Sequence, residues 1–442
     1  MKQKSVSWEV PPRRTDWGVR KNLNKMLING STRLEGTIRA SSAKNAVLPV
    51  FAASLLSSEN CLIDAIPDLE DVRTMKQVLE FLGASVKKED ATFEIEAKNI
   101  NFEQVPDKLM RRMRASNLVM GPLLARFGEA SVSYPGGCNI GSRPMDLHLK
   151  GFKKLGAEIT EKHGVISAKT TGLKGANINL DYPSVGATEN IMMGAALARG
   201  ITTIRNAAKE PEIIDLQHFL NKMGAKITGS GTDVIVIEGV KRLNGVDYRV
   251  IPDRIEIGTH MVAAAITGGD VLIKNVVAEY VEPVTAKLME AGIDISFENN
   301  AIRVRNRGQI KPVDIKTMPY PGFPTDMQPQ LMTLMTLASG TSLITETVFE
   351  NRFKHADELC RLGARIKVLH KTAVVEGVGS LSGATVEATD LRAGAALVLA
   401  ALVAEGKTLI ENINHINRGY CQLEDKYRSL GANIILLNDT CS

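Results

Sequence analysis

A short pattern of an apolar residue, glycine and a second apolar residue returns six times along the chain, and this recurrence limits the possible fold more than any other feature. The copies are Leu82-Gly83-Ala84, Leu155-Gly156-Ala157, Met223-Gly224-Ala225, Ala291-Gly292-Ile293, Leu362-Gly363-Ala364 and Leu430-Gly431-Ala432, spaced about 70 residues apart. Each follows an amphipathic, helix-like run and precedes a strand-like one. The glycine is therefore expected to end a helix in the left-handed conformation that other residues resist. Upstream, each unit carries a helix of small and apolar residues, a glycine turn, a short strand and a loop. Residues 191–197 and 393–403 illustrate the helix, and residues 201–205 and 407–411 the strand. A helix such as that over 394–403 is apolar nearly all round and belongs inside, whereas the amphipathic one should cover an outer face. The period is too long for the common solenoids. A chain of 442 residues is also too long for one ordinary core. The expectation is an α/β protein of six repeated units in two closed domains, three units per domain, with sheets packed around buried helices.

The formal net charge of +5 does not describe a basic body. Residues 1–25 hold Lys2, Lys4, Arg13, Arg14, Arg20, Lys21 and Lys25 against Glu9 and Asp16, which accounts for the whole excess. The rest is balanced and offers no broad surface for nucleic acid. Both tryptophans, Trp8 and Trp17, fall in this N-terminal extension. It reads either as a disordered tail or as a segment that docks through its aromatics. Five cysteines (Cys61, Cys138, Cys360, Cys421 and Cys441) lie far apart with no CxxC pair. That argues against a disulfide framework or a zinc site and for a reducing compartment. No apolar run reaches membrane-spanning length, and the N-terminus lacks a signal-peptide core, so a cytoplasmic location is expected.

Polar residues collect at two equivalent places in the units. The first is the start of the buried helix, where Lys44-Asn45, Arg114, Ser184, Arg254, Asp326 and Asp390/Arg392 stand. The second is the loop after the strand, with Cys138 and Arg143, Glu210 and Glu212, Asn351 and Arg352, and Arg418. A charge at the mouth of an apolar helix is costly unless it is paired or used. Any one arginine reads equally as a structural salt bridge. Lys44, Arg114, Arg143, Arg352, Arg392 and Arg418 at matched positions point instead to a cationic cleft for a small, multiply charged anion such as a phosphorylated carboxylate. Asp326 and Asp390 read either as helix-capping acids or as catalytic ones.

Cys138 lies in Pro135-Gly136-Gly137-Cys138-Asn139-Ile140-Gly141-Ser142-Arg143-Pro144, a glycine-rich loop unlike the apolar surroundings of Cys61 or Cys360. Arg143 nearby favours its thiolate, whereas a proton donor has to keep its proton. No GxxxxGK[ST] or strand-anchored GxGxxG occurs. Gly229-Ser230-Gly231 reads as a hairpin loop. His355 and His415 read as hydrogen-bonded structural residues.

The same stretches carry a family resemblance. Ala43-Lys44-Asn45-Ala46, Met113-Arg114-Ala115-Ser116, residues 135–144, Pro183-Ser184-Val185-Gly186-Ala187-Thr188, Pro252-Asp253-Arg254-Ile255-Glu256, Phe323-Pro324-Thr325-Asp326-Met327-Gln328, Glu346-Thr347-Val348-Phe349-Glu350-Asn351-Arg352, Thr389-Asp390-Leu391-Arg392 and Asn417-Arg418-Gly419-Tyr420 occur in family order over residues 26–440. Together they resemble the UDP-N-acetylglucosamine 1-carboxyvinyltransferases, enolpyruvyl transferases of peptidoglycan synthesis.

The resemblance implies a two-domain inside-out α/β barrel. One domain would be residues 26–43 with 252–442, the other residues 44–251 with the Cys138 loop, and residues 1–25 an added extension. It implies phosphoenolpyruvate and UDP-N-acetylglucosamine as small-molecule substrates, with no metal or organic cofactor. Lys44, Arg143 and Arg418 would hold the phosphate, Arg352 and Arg392 the carboxylate, and Arg114 would complete the cationic floor. Asn45, Asp326 and Val348 would hold the glucosamine. Arg143, Pro144, Met145, Asp146 and Leu147 would embrace the uridine, and Ser184, Val185 and Gly186 would hold the diphosphate. Cys138 would donate a proton to C3 of phosphoenolpyruvate or act in product release, and fosfomycin would alkylate it. Asp326 would deprotonate the sugar 3'-hydroxyl, and Asp390 would assist proton transfer. Three positions depart from the family's habit: Ser42 replaces glycine, Asn417 replaces aspartate, and Tyr182 replaces a lysine beside the diphosphate. Competing readings are transfer to shikimate 3-phosphate, transfer to another nucleotide, and a non-catalytic nucleotide-sugar sensor. The residues 135–144 loop and the unbroken catalytic set argue against the first and last of these.

Overall fold

The computed structural model describes residues 23–101, 105–134, 136, 141 and 145–438. The six glycines of the repeat all adopt left-handed angles, with φ from 89 to 106° at Gly83, Gly156, Gly224, Gly292, Gly363 and Gly431. Each ends an outer helix: Glu70–Phe81, Asp146–Lys154, Pro211–Lys222, Ala278–Glu290, His355–Arg361 or Leu423–Ser429. The inner helices are Lys44–Ala53, Met120–Phe127, Val185–Ala195, Arg254–Ile266, Gln328–Met335 and Leu391–Val403. In the last of these every residue from Arg392 to Leu402 is buried, as its all-round apolar face requires. Small residues let the inner helices approach closely. A Cβ on Gly121 would come within 2.4 Å of the Asn190 carbonyl oxygen on the neighbouring inner helix.

Among the described residues, six sheets surround these helices. Each is built on a strand flanked by an antiparallel partner and, in five of them, by a parallel strand. In one, Ile201–Arg205 pairs antiparallel with Val234–Glu238 and parallel with Asn177–Asn179. The first unit takes its parallel strand from the end of the third, since Cys61–Asp64 pairs with Val246–Arg249. Three units thereby close into a ring. The N-terminal strands complete the other ring. Leu23–Asn29 sits between Lys407–Glu411 and Asn433–Asn438, and Glu35–Arg39 pairs with Asp270–Lys274. Two hydrophobic cores result, one drawn from residues 43–250 and one from residues 26–40 with 255–434.

The chain passes between the two halves twice, and the crossings run side by side. Ala43 donates its N–H to Ile251 O at 2.8 Å, and Asp253 donates to Ser41 O at 2.9 Å.

The structure corrects three local expectations. The helix read over residues 191–197 spans Val185–Ala195, because Ser184 caps it nearly two turns earlier. The second and fifth units open their inner helices with 3-10 turns, Arg114–Val119 and Thr325–Met327. Cys360 is exposed rather than held in an apolar interior, because Leu359 and Leu362 take the inward face of its helix. Among the described residues Cys61, Cys360 and Cys421 are free thiols, and burial pushes the Cys61 thiol up to about 11. Among the described residues no helix is long and apolar enough to cross a membrane. The N-terminal extension and Cys441 lie outside the described residues.

Candidate active site

The starts of the inner helices converge on a cleft of about 680 Å³ between the two cores, a size that suits a small-molecule site. Its lining includes Lys44, Asn45, Arg114, Asp146, Leu147, Ser184, Val185, Gly186, Asp326, Val348, Arg352, Asp390, Arg392 and Arg418. The structure thus brings together most of the residues singled out from the sequence. Met145 stays apart, because its side chain is buried and its sulfur faces the Asn117 amide. Cys138, Arg143 and Pro144 lie outside the described residues.

The cations form two pairs, each tied to one carboxylate. Asp71 accepts from Lys44 Nζ at 2.9 Å and from Arg418 Nε at 2.9 Å. Burial alone would push the Asp71 carboxyl up, but Lys44 and Arg418 outweigh it and hold the group below its usual range. Asp326 accepts from Arg352 Nη2 at 2.8 Å and from Arg392 Nη2 and Nε at 3.0 and 3.2 Å. Arg352 and Arg392 are almost wholly buried, and Arg392 lies 5.4 Å from the Tyr420 ring centre. Among the described residues, two of their donor nitrogens, Arg352 Nε and Arg392 Nη1, are buried with no hydrogen-bond partner. Buried donors left unspent are expensive, and an anion in the cleft is the natural acceptor.

Buried carboxylates shape the loops around these pairs. Glu346 accepts from Thr317 Oγ1, Thr325 Oγ1 and Val348 N, each at 2.8 Å, and from Phe349 N at 3.1 Å. It therefore fixes both the turn that carries Asp326 and the loop that carries Val348. Asp390 caps its own helix through Arg392 N and Ala393 N at 2.8 and 3.1 Å. Ser184 Oγ does the same for Ala187 N at 3.4 Å. At the far wall Arg254 pairs with Glu212 across the two halves at 3.0 Å. Beside them Glu189 is buried at the cleft wall. Burial, then Glu212 and Glu210, raise its carboxyl well above the usual range. His355 is buried, and loss of water lowers it to about 4, against the pull of Asp390. Among the described residues no cluster of three or more His, Cys, Asp or Glu side chains is arranged to hold a metal ion.

Sequence reasoning missed Asp71 and Glu346. Asp71 stands twelve residues before Gly83, as Glu212 stands before Gly224, so the repeat itself marked the position.

Paired rings of α/β units with inner helices aimed at a cationic cleft define the enolpyruvyl transferase class. The crystal structure of the enolpyruvyl transferase NikO from Streptomyces tendae superposes with a TM-score of 0.85 at 26% identity, covering 94% of this chain and 99% of that one. EPSP synthase from Acinetobacter baumannii shares the fold at a TM-score of 0.75 and 19% identity, with 94% and 100% covered. The chain belongs to the EPSP synthase (3-phosphoshikimate 1-carboxyvinyltransferase) family, whose profile matches residues 28–427. Within it, the chain is 56% identical over 410 residues to UDP-N-acetylglucosamine 1-carboxyvinyltransferase 1 of Caldanaerobacter subterraneus, covering 93% of this chain and 99% of the relative. It is also 56% identical over 416 residues to the enzyme of that name from Carboxydothermus hydrogenoformans, with 94% and 99% covered.

Proposed function

We propose that this protein transfers the enolpyruvyl group of phosphoenolpyruvate to the 3'-hydroxyl of UDP-N-acetylglucosamine, releasing inorganic phosphate, as the first committed step of peptidoglycan synthesis in the cytoplasm. The observation that carries the reading is the double pair of cations around two carboxylates, Lys44 with Arg418 and Arg352 with Arg392, which matches a ligand bearing a phosphate at one end and a carboxylate at the other. The relatives that share 56% of their residues with this chain bear the name of that activity.

In this reading the two cores are the bodies of two domains, residues 26–43 with 252–442 and residues 44–251, which close on the ligands. Lys44 and Arg418 hold the phosphate with Arg143, and Arg352 and Arg392 hold the carboxylate. Arg114 adds positive charge to the floor. Asn45, Val348 and Asp326 hold the glucosamine. Arg143, Pro144, Asp146 and Leu147 take the uridine, with Met145 buried behind them, and Ser184, Val185 and Gly186 take the diphosphate.

The reaction then follows from placed acids and bases. Cys138 gives its proton to C3 of phosphoenolpyruvate, and C2 becomes electrophilic. The sugar 3'-oxygen bonds to C2 as Asp326 takes the hydroxyl proton, giving a tetrahedral phospho-ketal. Loss of a proton from C3, assisted by Asp390, expels phosphate from C2 and restores the double bond. Asp326 is engaged by Arg352 and Arg392 before substrate arrives. The substrate carboxylate takes over those donors, and Asp326 turns to the hydroxyl. Carboxylate replaces carboxylate, so no charge is stranded in the buried site.

Phosphate release measured with both substrates, each alone, and with shikimate 3-phosphate tests the reading. Release that needs phosphoenolpyruvate and UDP-N-acetylglucosamine together, and falls away in Cys138→Ala, is expected. Release that needs shikimate 3-phosphate instead overturns it.

A further inference from the structure

The stretch Pro252-Asp253-Arg254-Ile255-Glu256 carries none of the roles assigned above, yet it sits where the chain crosses between the two halves. The Lys44–Ala53 helix begins behind Ala43, which has no side-chain oxygen to cap it. Ser184, Asp253 and Asp390 cap their own inner helices. The leading N–H of the Lys44 helix donates instead to Asp253 Oδ2, at 3.3 Å. The other oxygen, Oδ1, accepts from Ile255 N at 2.8 Å and Glu256 N at 3.0 Å. One buried carboxylate therefore caps the first inner helix of each half. Its two oxygens have lone pairs enough for all three donors, and both helix dipoles favour an anion there. Glu256 secures the same crossing by accepting from Ser41 N at 2.8 Å and from Lys426.

We infer that Asp253 is a positioning residue for Lys44: it fixes the Lys44 main chain against the Arg254–Ile266 helix, so that the ammonium meets the substrate phosphate with both halves in register. The inference rests on the reading of Lys44 as a phosphate ligand. Lys44 is then anchored twice, by Asp253 at its main chain and by Asp71 at its Nζ. A displacement of about 1 Å at such a group is enough to reduce a rate about 100-fold.

The test uses variants that keep one cap and remove the other. Asparagine has a single acceptor oxygen. Serine caps its own helix as well as aspartate does but is too short to serve a second. Asp253→Asn and Asp253→Ser are expected to melt within about 3 °C of the parent, because the cap of the Arg254–Ile266 helix survives. The KM for phosphoenolpyruvate should rise about tenfold, with the KM for UDP-N-acetylglucosamine changed less than about twofold. Calorimetric titration with inorganic phosphate should show the same tenfold weakening. That arm decides the matter even if the parent protein turns over neither substrate, in which case the proposed function falls and the positioning role is judged on phosphate alone. Phosphate affinity and phosphoenolpyruvate KM equal to the parent's in both folded variants overturn the inference, as does an equal loss for both substrates.

Discussion

The two cation pairs use the same device in different settings. Arg352, Arg392 and Asp326 all belong to the half formed by residues 26–40 and 255–434, and both guanidinium groups are buried there. Lys44, Arg418 and Asp71 straddle the cleft: Lys44 and Asp71 sit on the half with residues 43–250, and Arg418 reaches over from the other. The first pair is built by the packing of one core. The second exists only when two cores stand close together. An anion held by the first meets a preformed fork, whereas an anion held by the second reports on closure.

The sharpest way to break this comparison is to neutralise each bridging carboxylate in turn. Asp326→Asn should lower kcat by about 10²–10⁴-fold, because the base is lost, while phosphoenolpyruvate binds at least as well once the arginines are released. Steady-state kinetics with calorimetric binding separates the two effects. Next in size, Arg392→Lys should weaken phosphoenolpyruvate about 100-fold, the loss of roughly 3 kcal/mol of charge-assisted bonding from a planar fork that lysine cannot replace. Asp71→Asn should raise the phosphoenolpyruvate KM only about tenfold with kcat nearly kept, because substrate can still draw the two halves together. A large fall in kcat for Asp71→Asn, or none for Asp326→Asn, would erase the distinction.

The smallest effect contrasts two buried carboxylates. Asp71, with two cations, is held low. Its stabilising contribution is present above the ordinary carboxyl range and lost as pH falls through the folded value. Glu189, facing Glu212 and Glu210, is raised, so folding takes up a proton and this group's contribution declines as pH rises above about 4.3. Glu189→Gln should therefore raise the melting temperature by about 2–4 °C near pH 8, with the gain shrinking toward pH 4. Thermal melts across that range check it. A gain that is constant with pH would speak against a raised Glu189 carboxyl.

The cleft was legible in the sequence because the repeat supplied a register. Once Gly83, Gly156 and their counterparts were aligned, Lys44, Arg114, Asp326 and Arg392 fell at equivalent helix starts, and a ring of such units aims its helix starts at one place. What the sequence hid was pairing between distant segments. Asp71 looks like an ordinary first-turn acid until Arg418 is brought to it. Asp253 looks like a cap for one helix until Ala43 is seen to leave the other without one. Glu346 sits in a recognisable stretch, but only folding gathers its four donors. Cys360 misled because Leu359 and Leu362 on either side of it are apolar and buried while its own direction on the helix is outward.

A crystal structure with phosphoenolpyruvate and UDP-N-acetylglucosamine bound bears most directly on the account. The phosphate is predicted between Lys44 and Arg418 and the carboxylate against Arg352 Nε and Arg392 Nη1, with Asp326 swung toward the sugar 3'-hydroxyl. A ligand bound the other way round, or an Asp326 still clasped by both arginines beside a bound carboxylate, would contradict it.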